Sequence, residues 1–311
     1  MRYLIYQIYH FGMDLKQLEY FAHVAELGSF TRASSFLHVA QPALSRQVRS
    51  LEVELRQPLL ARNGRGVTLT EAGKRLLAHA RGILQQVDRA RQDLEDQRGA
   101  ASGRLAIALP PSVSRTLTGP LVAAFAARLP KATLSVVEGL SAYALEWLVL
   151  GRVDCAVVYN VTPSPAIDLV PVLDERLFLV SARAGRAPLI GRPATLAQVA
   201  DRALVIPSRP NSVRMLLESA LAGAGRRICV ALEIDSVSAI LDLVQQGGVS
   251  AVLSHNAIRA SGKEAAFQLR PIGSPQLTAT LSLATSAQRP RGPLIEQGTA
   301  LARELLLSLW T

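Results

Sequence analysis

The chain has 311 residues, 49% of them apolar, and 34 basic against 24 acidic side chains give it a net charge of +10. That length fits about two domains, that apolar content excludes a disordered or fibrous chain, and the excess charge, almost all of it arginine, calls for a polyanionic partner. Two cysteines far apart, Cys155 and Cys229, make no disulfide framework and fit a reducing, cytoplasmic compartment.

Residues 1–12 mix Leu4, Ile5, Ile8 and Phe11 with Arg2, Gln7 and His10. The segment is too short to span a bilayer and has no small-residue cleavage site, so it reads as an extension ahead of a start at Met13, without membrane or export function. Leu15, Leu18, Phe21, Ala22, Ala25 and Leu27 then recur at helical spacing and stop at Gly28, a helix C-terminal signal. Ser29 caps a second helix that turns Phe30, Ala33, Phe36 and Leu37 inward and ends near His38 and Val39. Gln41-Pro42 opens a third, because proline is tolerated in a first turn whose N–H groups have no helical partner. Its buried stripe is Leu44, Val48, Leu51 and Leu55, which leaves Gln41, Pro42, Ala43, Ser45, Arg46 and Arg49 outside.

Two short helices with a tight connection, the second polar and basic at its N-terminal end, form the pattern of a helix-turn-helix. Glutamine can pair with adenine and arginine with guanine in a major groove. Beyond it, Arg62-Asn63-Gly64-Arg65-Gly66 is a basic turn leading into Val67-Thr68-Leu69, the wing of a winged helix, where Arg62 and Arg65 would meet phosphates or the minor groove. Residues 29–82 hold nine basic side chains, Arg32 among them, against three acidic ones, so +6 of the net charge sits in one 54-residue module. Such a footprint belongs to a nucleic-acid binder, and the predicted DNA-facing set is Arg32, Gln41, Pro42, Ala43, Ser45, Arg46, Arg49, Arg62 and Arg65.

From Thr70 to about Arg98 there is no proline, and Leu76, Ala80, Ile83, Val87, Ala90 and Leu94 repeat with alternating gaps of four and three. That spacing predicts a long helix with a heptad seam for dimerisation. Residues 99–103, Gly-Ala-Ala-Ser-Gly, are a hinge by composition. From Arg104 onward short β-like runs alternate with helical ones, at 105–109, 133–137, 155–159, 177–181, 204–206, 229–234, 249–253 and 278–284, with a closing helix over 294–309. This rhythm predicts an α/β domain with substantial parallel pairing. Hydroxyl and amide side chains cluster where those strands end: Ser112 and Ser114, Ser141, Ser208 and Asn211, and Ser236. Ligands of open α/β sheets bind outside the carboxyl ends of strands, so these six are the predicted contacts of a small-molecule effector, with Arg115, Arg209 and Arg214 as candidate partners for an anionic one.

Catalysis finds no support in the motifs. There is no Gly-x-Ser-x-Gly elbow, phosphate loop or His-Glu-x-x-His pair, and the five histidines are isolated from one another and from both cysteines, so neither a catalytic nor a metal set is assigned and no cofactor is expected. Two readings stand on the residues: a DNA-binding regulator controlled by a small molecule, and a ligand-binding α/β protein or enzyme whose N-terminal helices serve assembly. The polar, basic Gln41–Arg49 face discriminates, because an assembly module has no reason to leave it so.

The run from Leu18 to Gly73 carries a resemblance. Phe21, Gly28-Ser29-Phe30, Ala33, Leu37, Gln41-Pro42-Ala43-Leu44-Ser45, Leu51-Glu52, Arg62 and Leu69-Thr70-Glu71-Ala72-Gly73 resemble the N-terminal region of LysR-type transcriptional regulators. Ala40-Gln41-Pro42 and Leu59-Leu60-Ala61-Arg62 followed by Gly64-Arg65-Gly66-Val67 look like the nitrogen-assimilation-control branch. Two departures touch the wing: Arg56-Gln57 replaces the usual Leu-Gly, and Leu60 replaces an aromatic. The resemblance implies an N-terminal winged helix-turn-helix (residues 13–69), a linker helix (70–98) paired antiparallel in a dimer, and a periplasmic-binding-protein-like effector domain (104–311). Its lobes would span about 104–175 with 275–311, and 176–274. It implies a homodimer or homotetramer on an interrupted palindrome in promoter DNA, with RNA polymerase as a further partner and a small-molecule co-inducer in the cleft.

Overall fold

The structure, a computed structural model, describes residues 12–63, 66–96, 102–185, 187–273, 276–289 and 291–310, without the side chains of Arg62, Asn63, Arg89 and residues 92–96. The N-terminal extension apart from Gly12, the Gly64-Arg65 wing tip, most of the 99–103 hinge and the Leu94 side chain lie outside the described residues. The chain forms two compact units, a head up to Glu95 together with Leu150–Arg152, and a body made of the rest.

In the head, helix α1 (Leu15–Leu27) starts at a reciprocal cap: the Asp14 carboxylate accepts from the Gln17 N–H at 2.7 Å, and Gln17 Oε1 accepts from the Asp14 N–H at 3.1 Å. It stops at Gly28, whose φ of 61° lies in the left-handed region. Ser29 caps α2 (Phe30–Phe36), and α3 (Gln41–Leu55) follows with Pro42 in its first turn. Phe21, Val24, Ala33, Leu44, Val48 and Leu51 bury the three helices against one another. Phe36 corrects the sequence reading: it lies on the outer face, 62% exposed, with its ring leaning on His23 at 4.9 Å between centroids. The cause is the shortness of α2, which buries only Ala33 and Ser34.

The wing is a two-stranded antiparallel hairpin, β1 (Leu60–Asn63) and β2 (Gly66–Leu69), of which residue patterning identified only the second strand. Glu52 on α3 anchors it, because Oε1 accepts from both the Leu59 and Leu60 N–H groups, at 2.8 and 3.0 Å. Glu52→Ala leaves those donors without their acceptor and is expected to cost about 1–3 kcal/mol of head stability; denaturant unfolding checks it, with Glu52→Gln close to wild type. Thr70 then joins the wing to α4 (Glu71–Asp96): its hydroxyl donates to the Pro58 carbonyl at 2.6 Å and accepts from the Gly73 N–H at 3.0 Å. Gly73 is so close to β1 that a Cβ there would stand 2.0 Å from the Leu59 carbonyl oxygen. Gly73→Ala is therefore expected to destabilise the head by about 1–3 kcal/mol through overpacking, against the gain that alanine brings to an ordinary helix, and the same unfolding measurement separates the two signs.

In the body, the parallel core is β3 (Gly103–Leu109) between β4 (Ala132–Glu138) and β5 (Cys155–Tyr159). Helices α5 (Pro111–Arg128) and α6 (Ser141–Val149) follow β3 and β4. The 16-residue strand β6 (Ile167–Ala182) decides the architecture. Up to Arg176 it pairs antiparallel with β11 (Thr278–Ser286), and from Leu177 onward with β9 (Ala251–Ser254) and β10 (Phe267–Pro271). One strand thus runs from the sheet of a first lobe into that of a second. The second lobe adds α7 (Leu196–Ala200), the parallel pair β7 (Leu204–Ile206) and β8 (Val230–Glu233), α8 (Ser212–Gly223), α9 (Val237–Gln246) and α10 (His255–Arg259). Helix α11 (Pro293–Leu309) packs back on α5 and β3. The first half of β6 and all of β10 escaped sequence patterning because Pro171, Asp174 and Glu175 interrupt the first and Pro271 shortens the second.

Candidate DNA interface and effector cleft

Helix α3 is amphipathic by its own spacing. Leu44, Val48 and Leu51 are buried, while Gln41, Pro42, Arg46 and Arg49 are exposed and Ala43 and Ser45 half-buried. Arg46 and Arg49 stand three residues apart on one face and, like Arg32 at the start of α2, have no ion pair among the described residues. An α-helix presenting glutamine, serine and two unneutralised arginines along its N-terminal half matches the width and donor pattern of a DNA major groove. Arg62 lies on β1 of the adjoining wing. The structure therefore brings seven of the nine predicted DNA-facing residues to the surface of α2 and α3.

The linker seam divides. Leu76 packs half-buried on the head core and Ala80 is fully buried within the single chain, so Ala80 cannot reach a partner helix, which corrects its assignment to dimerisation. Ile83 is 37% exposed, Val87 half-buried and Ala90 exposed.

In the body, two adjoining cavities open where the strands end. The larger, about 400 Å³, is lined by Ser112, Arg115, Glu138, Asp235, Ser236 and Ser238 with Pro111, Val237, Ala257 and Ala260. The smaller, about 60 Å³, takes in Ser112, Ser141, Tyr159, Asn211, Ser212 and Asp235. Four of the six predicted effector residues, Ser112, Ser141, Asn211 and Ser236, line this cleft. Ser114 is a correction: one turn into α5 it is buried, its hydroxyl 3.0 Å from that of Thr118. Ser208 is another, since it lines neither cavity and its N–H instead donates to Asp235 at 2.8 Å. Ser141 accepts from the Tyr159 N–H at 2.9 Å, and Asn211 and Ser236 cap α8 and α9.

Arg214 does not serve the cleft. Buried in the second lobe, it donates to Glu218 at 2.9 Å, to Glu233 at 2.8 Å and to the Pro207 carbonyl at 2.9 Å. Burial pushes the Glu218 carboxyl up, but hydrogen bonds and charge from Arg214 and Arg209 outweigh it and hold it below its ordinary value. Residue patterning missed Tyr159 and Glu138, although each ends a strand and the same strand-end rule applies to them. Burial, and then the neighbouring Glu175 carboxylate, hold the Tyr159 hydroxyl well above its ordinary value, so it stays a proton donor.

A winged helix-turn-helix head on a long helix, with a two-lobed α/β body cleft at its strand ends, defines a DNA-binding regulator with a ligand-binding domain. Residues 15–74 match the bacterial regulatory helix-turn-helix proteins of the lysR family, and residues 98–306 match the LysR substrate binding domain. The chain belongs to the LysR family and is a LysR-type transcriptional regulator. It is 35% identical over 298 residues to the nitrogen assimilation regulatory protein nac of Klebsiella aerogenes, across 96% of this chain and 95% of that one, so the nitrogen-assimilation-control resemblance extends to nearly the whole length. Two solved structures of the LysR family regulator CbnR, one full-length in complex with its target DNA, superpose with TM-scores of 0.68 and 0.67 at 25% identity. They cover 94% of this chain and 99% and 100% of those chains. Among the described residues no helix is long and apolar enough to cross a membrane.

Proposed function

We propose that this regulator acts in the cytoplasm as a homodimer or homotetramer on an interrupted palindromic promoter site, reading bases with Gln41, Ser45, Arg46 and Arg49 and gripping backbone with Arg32, Arg62 and Arg65. The observation that carries it is the polar, arginine-bearing face of α3, held outward by Leu44, Val48 and Leu51. Residues 13–69 form the DNA-binding head, 70–98 the linker helix that pairs through Ile83, Val87 and Leu94 with Leu76 as a flank, 99–103 the hinge and 104–311 the effector domain. Two heads linked in this way engage two half-sites at once, which multiplies a modest single-head affinity. RNA polymerase bound next to such a site is the second macromolecular partner.

The effector occupies the cleft of Ser112, Ser141, Asn211 and Ser236. Arg115, Asp235 and Glu138 line the same cavity, so the best-matched ligand places an anionic group on Arg115 and an amine or hydroxyl donor on the two carboxylates. Binding shifts the lobes, and through them the spacing of the heads, only if the effector prefers one arrangement over the other.

Electrophoretic mobility shift of promoter fragments between about 50 and 200 mM salt tests the DNA-binding reading: six to ten phosphate contacts predict a loss of about 10³–10⁵ in affinity. Affinity that does not change across that range would sink it. For the cleft, Arg115→Ala is expected to weaken binding of an anionic effector and to leave affinity for DNA alone unchanged, as titration calorimetry with candidate metabolites would register.

A further inference from the structure

We propose that Glu175 is the positioning residue that sets the angle between the two lobes and couples it to the cleft; the coupling to an effector rests on the reading above, and the clamp itself does not. Glu175 lies on β6 just before Leu177, where the strand leaves β11 for β9 and β10. It is 5% exposed. Its Oε2 accepts from the Tyr159 hydroxyl of the first lobe at 2.5 Å. Its Oε1 accepts from Asn256 Nδ2 of the second lobe at 2.8 Å and from the Trp310 indole N–H, just past α11, at 2.6 Å.

All three donors are neutral, and a carboxylate buried on neutral donors is an expensive way to fill a core that apolar side chains would stabilise as well. What the carboxylate supplies instead is direction, because its two oxygens hold one group from each lobe and one from the chain end in a single geometry. Other contacts cross the same line: Arg115 donates to the Ala260 carbonyl at 3.0 Å, and Arg259 donates to the Leu309 carbonyl. The clamp reaches the cleft through Tyr159, which lines the smaller cavity together with Ser112. A ligand that engages Ser112 or Tyr159 changes the donor that Oε2 depends on, at the point where β6 bends between lobes.

The test is an interlobe distance in the full chain. Nitroxides go on the native, exposed Cys229 of the second lobe and on Ala127→Cys of α5, in protein mixed with excess unlabelled chain; Cys155 is buried. Electron–electron dipolar spectroscopy is expected to give a narrow distribution for Glu175, retained in Glu175→Gln because the amide oxygen still accepts from Asn256 and Trp310 while its N–H₂ donates to Tyr159. Asn256→Ala and Trp310→Phe, which leave the Glu175 carboxylate in place and, for Trp310, keep an aromatic ring against the core, are each expected to widen it about twofold as a second lobe angle becomes populated, and Glu175→Leu at least as much. Widths equal to wild type in both Asn256→Ala and Trp310→Phe overturn the clamp, whether or not Glu175→Leu folds. Filling the small cavity with Ser112→Phe is expected to shift the mean distance in the Glu175 chain and not in Glu175→Leu; the same shift in both overturns the coupling. No DNA and no effector enter this measurement, so a failure of the DNA-binding reading leaves its result standing.

Discussion

Arg46→Ala and Arg49→Ala are each expected to weaken specific promoter binding by about 1–3 kcal/mol, about 5- to 150-fold in Kd, and to relax preference at one base position of each half-site. The magnitude follows from where the side chains stand. Both project from α3, three residues apart on the face left over once Leu44, Val48 and Leu51 are buried, and neither is neutralised by an acidic neighbour among the described residues. An arginine that touches only phosphate behaves differently: its loss weakens binding evenly across sequences and lowers the slope of log affinity against log salt by about one. Arg32→Ala, at the start of α2, is expected to follow this second pattern. Footprinting of each variant on consensus and mutated sites separates the two behaviours. Footprints of Arg46→Ala and Arg49→Ala identical to wild type would remove α3 from the recognition role.

The second large effect lies in the body. Arg214→Met is expected to destabilise the effector domain by about 2–4 kcal/mol, somewhat less than a fully enclosed ion pair because Glu233 is half-exposed. The loss arises because Glu218, only 15% exposed, keeps its charge while its nearest buried counter-ion disappears, and the Pro207 carbonyl loses its donor. The pH dependence has a definite sign. The folded Glu218 carboxyl lies below its ordinary value of 4.5, so its pairing contributes fully above that value and is lost as the pH falls through the folded value. The stability gap between wild type and Arg214→Met is therefore expected to narrow below about pH 4.5. Calorimetry at neutral and acidic pH checks both size and sign; a gap that stays constant through the acid range would mean that the loss does not come from Glu218, which keeps only the exposed Arg209 as counter-ion in the variant.

Local chemistry made much of this protein legible in its residues. Gly28 ends α1, Pro42 opens α3 and Thr70 caps α4 through interactions a few residues long, and the same short range made the polar face of α3 readable as a DNA-binding surface. Strands 155–159 and 204–206 appear with the predicted bounds because their apolar runs are short, uninterrupted and buried on both sides. The heptad spacing of α4 was equally visible, but which of its positions face the chain's own interior was not: Ala80 and Ile83 carry the same periodic signal, and only packing distinguishes the buried one from the exposed one.

The tertiary structure decided what depends on partners distant in sequence. Arg214 reads in sequence like Arg115, a cation beside a helix start, yet it is consumed by Glu218 and Glu233 while Arg115 faces the cleft. Ser112 and Ser114 look equivalent as hydroxyls after a strand, yet the helical turn sends one to the cleft and the other to the core. Glu175, inside a charged stretch that interrupts a strand pattern, gave no sign of importance; its three donors come from positions 159, 256 and 310. Periodicity and capping act within about one turn and are written along the chain, so the sequence by itself determined the head, the recognition face and the α/β rhythm of the body. The burial of a charge and the convergence of side chains on one point require the chain to return on itself, and only the fold could decide them.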